Sequence, residues 1–146
     1  MGFRPLRNDD LVLLSEWLSR PHVKEWWRDP HDIGSVRDRY LPCIEGTDTT
    51  EVFVVTLDGR PVGVAQRYLL SDEPAWREAL AQSGCDDGSA GIDYLLGEED
   101  VTGRGLGPLV IDAPQRPGAP GVARDASDCG RRVGWACEPP RNLGRP

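Results

Sequence analysis

The chain has 146 residues, enough for one domain with its own hydrophobic core, and its 38% hydrophobic and 28% charged residues are ordinary for a globular protein. The formal net charge of -7 disfavours nucleic acid and anionic membranes as partners. The sequence has no apolar run of membrane-spanning length and no signal peptide behind Met1, so we expect a cytoplasmic location.

Cysteine and histidine usage gives no indication of a metal site. Four cysteines are present without a CxxC pair, and the two histidines fit no zinc spacing with them. We therefore expect free thiols and no bound metal.

The acidity is concentrated in the first three quarters of the chain. Residues 1–112 carry 21 acidic side chains against 11 Arg and Lys, whereas residues 113–146 carry 3 acidic side chains against 6 arginines. An acidic body serves solubility or attracts a polycationic substrate, and charge by itself leaves both interpretations open.

The first forty residues predict helices. Asn8, Asp9 or Asp10 can cap a helix, and its apolar side chains recur at helical spacing: Leu11, Leu14, Trp17 and Leu18. A second helix is predicted over Pro21 to Trp27, with proline in its first turn. A third begins after Asp32, has Ile33, Val36 and Tyr40 on one side and should end at Pro42.

A β-hairpin and a further strand follow. Glu51–Leu57 is rich in β-branched residues and predicts a strand, Asp58 and Gly59 supply a tight turn, and Val62–Leu70 is the returning strand. Residues 71–89 are a polar connection with a short helical piece around Trp76 to Leu80. Ala90–Leu96 is a third strand, which should end at Gly97.

A glycine-rich segment, Gly103-Arg104-Gly105-Leu106-Gly107, stands where a helix should begin. Prolines at 114, 117 and 120 oppose that helix, because each removes a backbone donor. From residue 113 onward 11 of 34 residues are Gly or Pro, a composition that favours disorder. We hypothesise that this tail is an out-of-frame product of a GC-rich gene. A natural flexible tail is the alternative, and the gene sequence around codons 110–116 distinguishes the two.

Glycines let a main chain approach a phosphate closely, so the GxGxG segment is a candidate phosphate loop. It follows an antiparallel hairpin and lacks a Walker lysine, which argues against both Rossmann and P-loop interpretations. The order of helices, hairpin, strand, glycine loop and helix resembles the GNAT superfamily of N-acetyltransferases, whose loop binds the pyrophosphate of coenzyme A. Thr102 departs from that superfamily's signature, which usually has Arg or Gln there.

A second set of motifs narrows the resemblance. They are Glu16-Trp17-Leu18, His22-Val23-Lys24-Glu25-Trp26-Trp27, Tyr40-Leu41-Pro42, Gly63-x-Ala65-Gln66-x-Tyr68 and Gly91-Ile92-Asp93. Over about residues 4–112 the chain is similar to aminoglycoside 6'-N-acetyltransferases and to the related lysine N-acyltransferases of siderophore synthesis. The implied fold is α+β, with N-terminal helices on a mainly antiparallel sheet that stops before the family's C-terminal strands.

The resemblance implies roles for particular residues. Asp93 would hold the reacting ammonium group and help to remove its proton. The acceptor site, for a cationic amine such as an aminoglycoside, would be lined by Trp26, Trp27, Tyr40, Gln66 and Tyr68. Acetyl-CoA, the donor, would bind through main-chain groups of Tyr94, Leu95 and Leu96 and through the loop residues Gly103, Arg104, Gly105, Leu106 and Gly107.

Each assignment has a structural alternative. Paired tryptophans are more often core residues, Asp93 could be a surface or capping residue, and Gln66 and Tyr68 could lie on an exposed polar face. The acids of the connection, Asp72, Glu73, Asp86 and Asp87, could attract amines or merely be solvated.

The tail lacks the features that the family carries beyond the loop. It has no tyrosine to protonate the departing thiolate and no recognisable second strand for the coenzyme cleft. We therefore expect weak or no activity from this chain, which leaves a non-enzymatic remnant as a further alternative.

Overall fold

The computed structural model describes residues 1–74, 78 and 90–112 as an α+β arrangement, the predicted class. Its strands are β1 Gly2–Pro5, β2 Glu51–Leu57, β3 Arg60–Leu69 and β4 Ala90–Leu96. Its helices are α1 Leu11–Ser19, α2 Pro21–Lys24, α3 Ile33–Glu45 and α4 Leu106–Asp112, with short 3₁₀ turns at Asn8–Asp10, Leu70–Asp72 and Glu99–Val101. The predicted helical piece near Trp76, the acids Asp86 and Asp87 and the tail from residue 113 fall outside the described residues.

Helix α1 forms as its apolar spacing predicts. Leu11, Leu14, Trp17 and Leu18 are all buried on one face. Asp10 lies at its start, where it accepts hydrogen bonds from the Arg4 guanidinium at 2.7 Å and from the Arg7 N–H at 2.9 Å. The Arg4 guanidinium keeps the pKa of Asp10 below its ordinary value, so the acid stays charged beside the helix.

The next two helices differ from the prediction at their ends. Helix α2 stops at Lys24, three residues before the predicted end. Helix α3 starts as expected, because Asp32 accepts a hydrogen bond from the Ser35 N–H at 2.9 Å, but it continues past Pro42 to Glu45. A proline removes only one backbone donor, and the helix ends instead where Gly46 adopts a left-handed conformation with φ 76°. Val36 and Tyr40 are buried on one side of this helix, whereas Ile33 is exposed.

The sheet is antiparallel throughout, in the order β1-β2-β3-β4. The hairpin turns at Asp58 and Gly59 as predicted, although β3 already begins at Arg60 and ends at Leu69. Strand β1 is missing from the sequence prediction, because four residues ending in a proline show no usable alternation. It pairs with β2 in a register that places Phe3 opposite Val55.

The two faces of the sheet carry different cores. On one face, α1 and α3 pack over side chains of β2, β3 and β4: Val52, Val54, Val64 and Leu95. On the other face lies a smaller cluster that includes Val55, Val62, Ala65 and Val110 of α4. Successive side chains of β4 therefore point to opposite faces of the sheet. Asp93 lies on the helix-covered face, because it is two residues from Leu95.

Helix α4 corrects the expectation that no helix follows the glycine loop. Two turns form over Leu106–Asp112, since Pro108 lies in the first turn, where its missing N–H has no helical partner to lose. None of the helices in the described ranges is long and apolar enough to cross a membrane. The same ranges hold no group of three His, Cys, Asp or Glu side chains arranged for a metal ion.

Candidate functional site

Asp93 is a partly buried carboxylate in the middle of β4. The register places it directly opposite Gln66 of β3, and the Gln66 side-chain amide donates to Asp93 Oδ2 at 3.0 Å. Burial raises the pKa of Asp93, while the hydrogen bonds from Gln66 and Tyr68 oppose that shift. A carboxylate held in this way is a stronger base than a solvated one and remains able to hold a cation.

Gln66 and Tyr68 follow Asp93 onto the helix-covered face. Both are buried, which excludes an exposed polar face for them. Gln66 Oε1 has no hydrogen-bond partner among the described residues, although the residue is only 4% exposed. Gly91 makes room for Tyr68, because a Cβ at position 91 would lie 2.4 Å from Tyr68 Cζ. The glycine thus lets the phenol ring lie across β4 beside Asp93.

Aromatic side chains from the helices join the same region through Asp29. Trp27 Nε1 donates to Asp29 Oδ2 at 3.1 Å, and the Tyr40 hydroxyl donates to the same oxygen at 3.2 Å. Arg39 Nε lies 3.8 Å from that oxygen, and its guanidinium carbon is 5.6 Å from the centre of the Tyr40 ring. Burial, assisted by the charge of Asp29, raises the pKa of Tyr40, so its hydroxyl stays protonated and acts as a donor.

The two tryptophans separate. Trp27 is partly buried against the helix-side core, whereas Trp26 is 74% exposed. Of the five residues predicted for an acceptor site, the structure therefore gathers Trp27, Tyr40, Gln66 and Tyr68 on the helix-covered side. Trp26 points to solvent, because adjacent residues of the turn after α2 project in different directions.

The outer edge of β4 offers main-chain groups. The Gly97 N–H donates to the Val62 carbonyl at 2.9 Å, and main-chain groups of an antiparallel strand alternate between its two edges. Those of Leu95 consequently face β3, whereas those of Tyr94 and Leu96 face outward. The carbonyl of Leu96 already contacts His22 Nε2 at 3.1 Å. Of the main-chain groups predicted to bind coenzyme A, those of Tyr94 are therefore favoured by their outward direction. Those of Leu95 face β3 instead, and its side chain is buried in the core.

The glycine loop follows β4 after one 3₁₀ turn. Gly103 and Gly105 have φ values of 71° and 72°, a region that favours glycine, and a Cβ at either position would meet open space. Both residues and Arg104 are exposed, and Leu106 is half-buried. Gly107 has a different role, since a Cβ there would lie 2.3 Å from the Tyr94 hydroxyl. It lets the start of α4 rest on Tyr94.

Strand β4 connects the two parts of the site. Asp93 lies at its centre on the face covered by α1 and α3, and the loop leaves its carboxyl end toward the face covered by α4. The outer edge of β4, where the main-chain groups of Tyr94 point away from β3, runs between the two.

Comparison with known proteins agrees with this arrangement. Residues 7–115 match the sequence model of the Acetyltransferase (GNAT) domain. The chain belongs to the GNAT acetyltransferase family. This match covers the helices, the sheet from β2 onward and the glycine loop, and confirms the family predicted from the sequence motifs.

Relatives with an assigned activity are aminoglycoside enzymes. Over 115 residues, this GNAT chain is 33% identical to the aminoglycoside N(6')-acetyltransferases type 1 of Klebsiella pneumoniae and of Serratia marcescens. The alignment covers 75% of the chain but 55% of each relative, so the chain spans little more than half the length of the curated proteins it matches.

Solved structures give the same result. The aminoglycoside acetyltransferase AAC(6')-Ib in complex with coenzyme A superposes with a TM-score of 0.66 at 32% identity, over 77% of this chain and 64% of that one. Its complex with coenzyme A and kanamycin has a TM-score of 0.66 at 33% identity, over 77% and 63%. A complex with ribostamycin and coenzyme A gives 0.66 at 31% identity, over 77% and 63%.

Sequence reasoning did not identify Asp29 or Arg39 as part of this region. Asp29 lies between Arg28 and Pro30 in a connection without periodicity, and Arg39 is one of two arginines in α3. Only a tertiary contact brings them together, and the available signal was weak: one acid two residues after a tryptophan pair.

Proposed function

We propose that the Asp93 region is the acceptor site of an acetyl-CoA-dependent N-acetyltransferase that modifies the 6'-amine of aminoglycosides, a resistance activity. The observation that carries the proposal is the hydrogen bond of 3.0 Å from buried Gln66 on β3 to partly buried Asp93 on β4, the strand that precedes the glycine loop. Trp27, which is partly exposed, supplies a flat face of the kind that packs on sugar rings, and the buried Tyr40 and Tyr68 lie on the same helix-covered side.

The chemistry requires a base near the amine. An ammonium group cannot attack a thioester, so one proton must leave before the nitrogen lone pair bonds to the acetyl carbonyl carbon. The Asp93 carboxylate can hold the ammonium and take that proton directly or through one water. Collapse of the tetrahedral intermediate then breaks the carbon–sulfur bond, and the coenzyme leaves as a thiolate that needs a proton.

The donor substrate fits the other half of β4. The outward main-chain groups of Tyr94 are suited to the amide-bearing arm of acetyl-CoA, and those of Leu96 lie beside them. The loop from Gly103 to Gly107 presents exposed backbone with two left-handed glycines, the geometry that turns successive N–H groups toward an anion. Gly107 contributes through its packing on Tyr94.

The relatives support this substrate pair. Three similar solved structures hold coenzyme A, and two of them also hold kanamycin or ribostamycin. The surplus of acids within residues 1–112 suits a polycationic acceptor. Within this proposal, residues 1–112 are the acyltransferase part, and residues 113–146 lie outside the described residues. Acetyl-CoA is a cytoplasmic metabolite, which places the activity in the cytoplasm.

Binding and transfer test the proposal together. Kanamycin is titrated calorimetrically into the chain and into Asp93→Asn, with the exposed Asp38→Asn as a charge-matched control. We expect the Asp93 change to weaken binding about tenfold or more and the Asp38 change to leave it intact, because only Asp93 touches the ammonium. Equal affinity in all three proteins contradicts the proposal.

Transfer from labelled acetyl-CoA identifies the reaction. Product acetylated at the 6'-amine, at a rate that Asp93→Asn lowers by about 10²–10⁴-fold, supports the proposal. Preferential transfer to the side chain of hydroxylated lysine supports instead a lysine N-acyltransferase of siderophore synthesis. A chain that binds neither kanamycin nor acetyl-CoA is the non-enzymatic remnant considered from the sequence.

A further inference from the structure

Asp29 connects the aromatic side chains of the helices. It lies between α2 and α3, and a single oxygen, Oδ2, accepts hydrogen bonds from Trp27 Nε1 at 3.1 Å and from the Tyr40 hydroxyl at 3.2 Å. Hydrogen bonds to a carboxylate are stronger than those between neutral groups, so they fix the orientation of both donors. Tyr40 is buried in α3, and Trp27 follows α2. The shared oxygen therefore ties the residues after α2 to α3.

The same carboxylate is electrostatically close to Asp93. The charge of Asp29 opposes ionisation of Asp93 and adds to the effect of burial, which raises the pKa of Asp93, while Arg39 acts in the opposite direction. Glu73 belongs to the same group, because burial raises its pKa and the charge of Asp93 adds to that effect. The charge of Asp29, in the α2–α3 connection, thus acts on Asp93, and the charge of Asp93 acts on Glu73, which follows β3.

An independent feature indicates that this face receives a ligand. Gln66 directs its amide nitrogen to Asp93, and its oxygen is a buried acceptor without a partner among the described residues. A buried acceptor left in this state costs free energy unless a donor arrives. An ammonium group or a hydroxyl held by Asp93 is such a donor.

We propose that Asp29 is a positioning residue of the acceptor site, which sets the orientation of Trp27 and Tyr40 and adds a second negative charge on the helix-covered side for a cationic acceptor. This inference rests on the proposed function for the identity of the acceptor. Its geometric content, two aromatic donors on one carboxylate oxygen, does not.

The competing interpretation is that Asp29 only joins α2 to α3. Asn at position 29 separates the two, because its amide oxygen still accepts from Trp27 and Tyr40 but carries no charge. A joining role predicts that Asp29→Asn behaves like the wild type. A positioning role that also depends on charge predicts a change in the pKa of Asp93, because Asn keeps the hydrogen bonds of Asp29 but loses its charge.

The experiment is a carboxyl NMR titration of Asp93 in the full chain without ligand. The groups that face Asp93 are Asp29, Arg39, Gln66, Tyr68 and Glu73. Each variant changes only one of these side chains. We expect Asp29→Asn to lower the pKa of Asp93, since a nearby negative charge is removed, while Asp38→Asn leaves it unchanged. An unchanged Asp93 titration in Asp29→Asn overturns the proposal.

Two further measurements complete the test. Arg39→Gln leaves Asp29 in place and removes the opposing cation, so the pKa of Asp93 should rise. If it does not, the charges of α3 and β4 are not coupled and the proposal fails even where Asp29→Asn does not fold. Kanamycin should bind Asp29→Asn roughly 3- to 10-fold more weakly than the wild type, with the Trp27 indole N–H resonance retained. If the wild type binds no kanamycin, the proposed function fails while the Asp93 titration still decides the role of Asp29.

Discussion

Gly91→Ala is the substitution that the structure makes most informative. An alanine Cβ at position 91 would lie 2.4 Å from Cζ, 2.5 Å from Cε2 and 2.7 Å from the hydroxyl of Tyr68. Carbon atoms in contact normally stay about 3.5–4.0 Å apart, so the ring must move by roughly 1 Å. Tyr68 is 5% exposed, and a close-packed interior gives it little room to do so.

The magnitude follows from two opposing effects. Overpacking of this kind costs about 1–3 kcal/mol, and replacing a glycine that is not in the left-handed region returns about 0.4–1 kcal/mol through the unfolded chain. The free energy of unfolding should therefore fall by about 1–2 kcal/mol, which lowers Tm by roughly 3–9 °C for a domain of this size. Moving the Tyr68 hydroxyl away from Asp93 also removes a hydrogen bond that lowers the pKa of Asp93, so that pKa should rise further.

Urea unfolding followed by tryptophan fluorescence measures the first effect and carboxyl NMR titration the second. Gly34→Ala is the matched control, because a Cβ at this helical position lies 3.4 Å from Asp32 Oδ1, within ordinary contact, and should not reduce stability. A double-mutant cycle with Tyr68→Val should show a coupling of about 1 kcal/mol or more, since the valine removes the clash. A Gly91→Ala protein as stable as the wild type, with an unchanged Asp93 titration, would refute the packing of Tyr68 over Gly91.

Three more predictions concern stability and reactivity. Gly97→Ala should lower the free energy of unfolding, measured in urea, by about 3 kcal/mol. The alanine Cβ would lie 2.0 Å from Cγ of the buried Trp17, whose Nε1 is held by Glu98 at 2.8 Å. A decrease below about 1 kcal/mol contradicts this prediction. Asp93→Asn should be more stable than the wild type near neutral pH, since the protonated acid is favoured in the folded state. That gain should vanish as the pH falls below about 3.9, where both side chains are neutral, and urea midpoints across pH test the sign. Burial raises the pKa of the Cys43 thiol to about 11. In a variant with the other three cysteines changed to serine, the thiolate population of Cys43 near pH 8 should be roughly two orders of magnitude below that of a free cysteine. Thiol labelling at the rate of a free cysteine is inconsistent with that burial.

The sequence by itself determined the elements whose signal is local. Helical spacing of apolar residues predicted α1, β-branched runs with an Asp-Gly turn predicted the hairpin, and the run Ala90–Leu96 before Gly97 predicted β4. Those patterns arise because burial of one face imposes a period that can be counted along the chain. The same motifs were sufficient for the family, which the match over residues 7–115 confirms.

Only the tertiary structure decided features that depend on distant partners. Strand β1 exists because β2 offers a free edge, and α3 passes Pro42 because Gly46 supplies a better end. Tryptophans 26 and 27 are equivalent in the sequence, but packing buries one and exposes the other. Asp29 has no motif at all, because what distinguishes it is one oxygen shared by two aromatic side chains. Side-chain contacts of this kind have no period along the chain, so spacing could not reveal them.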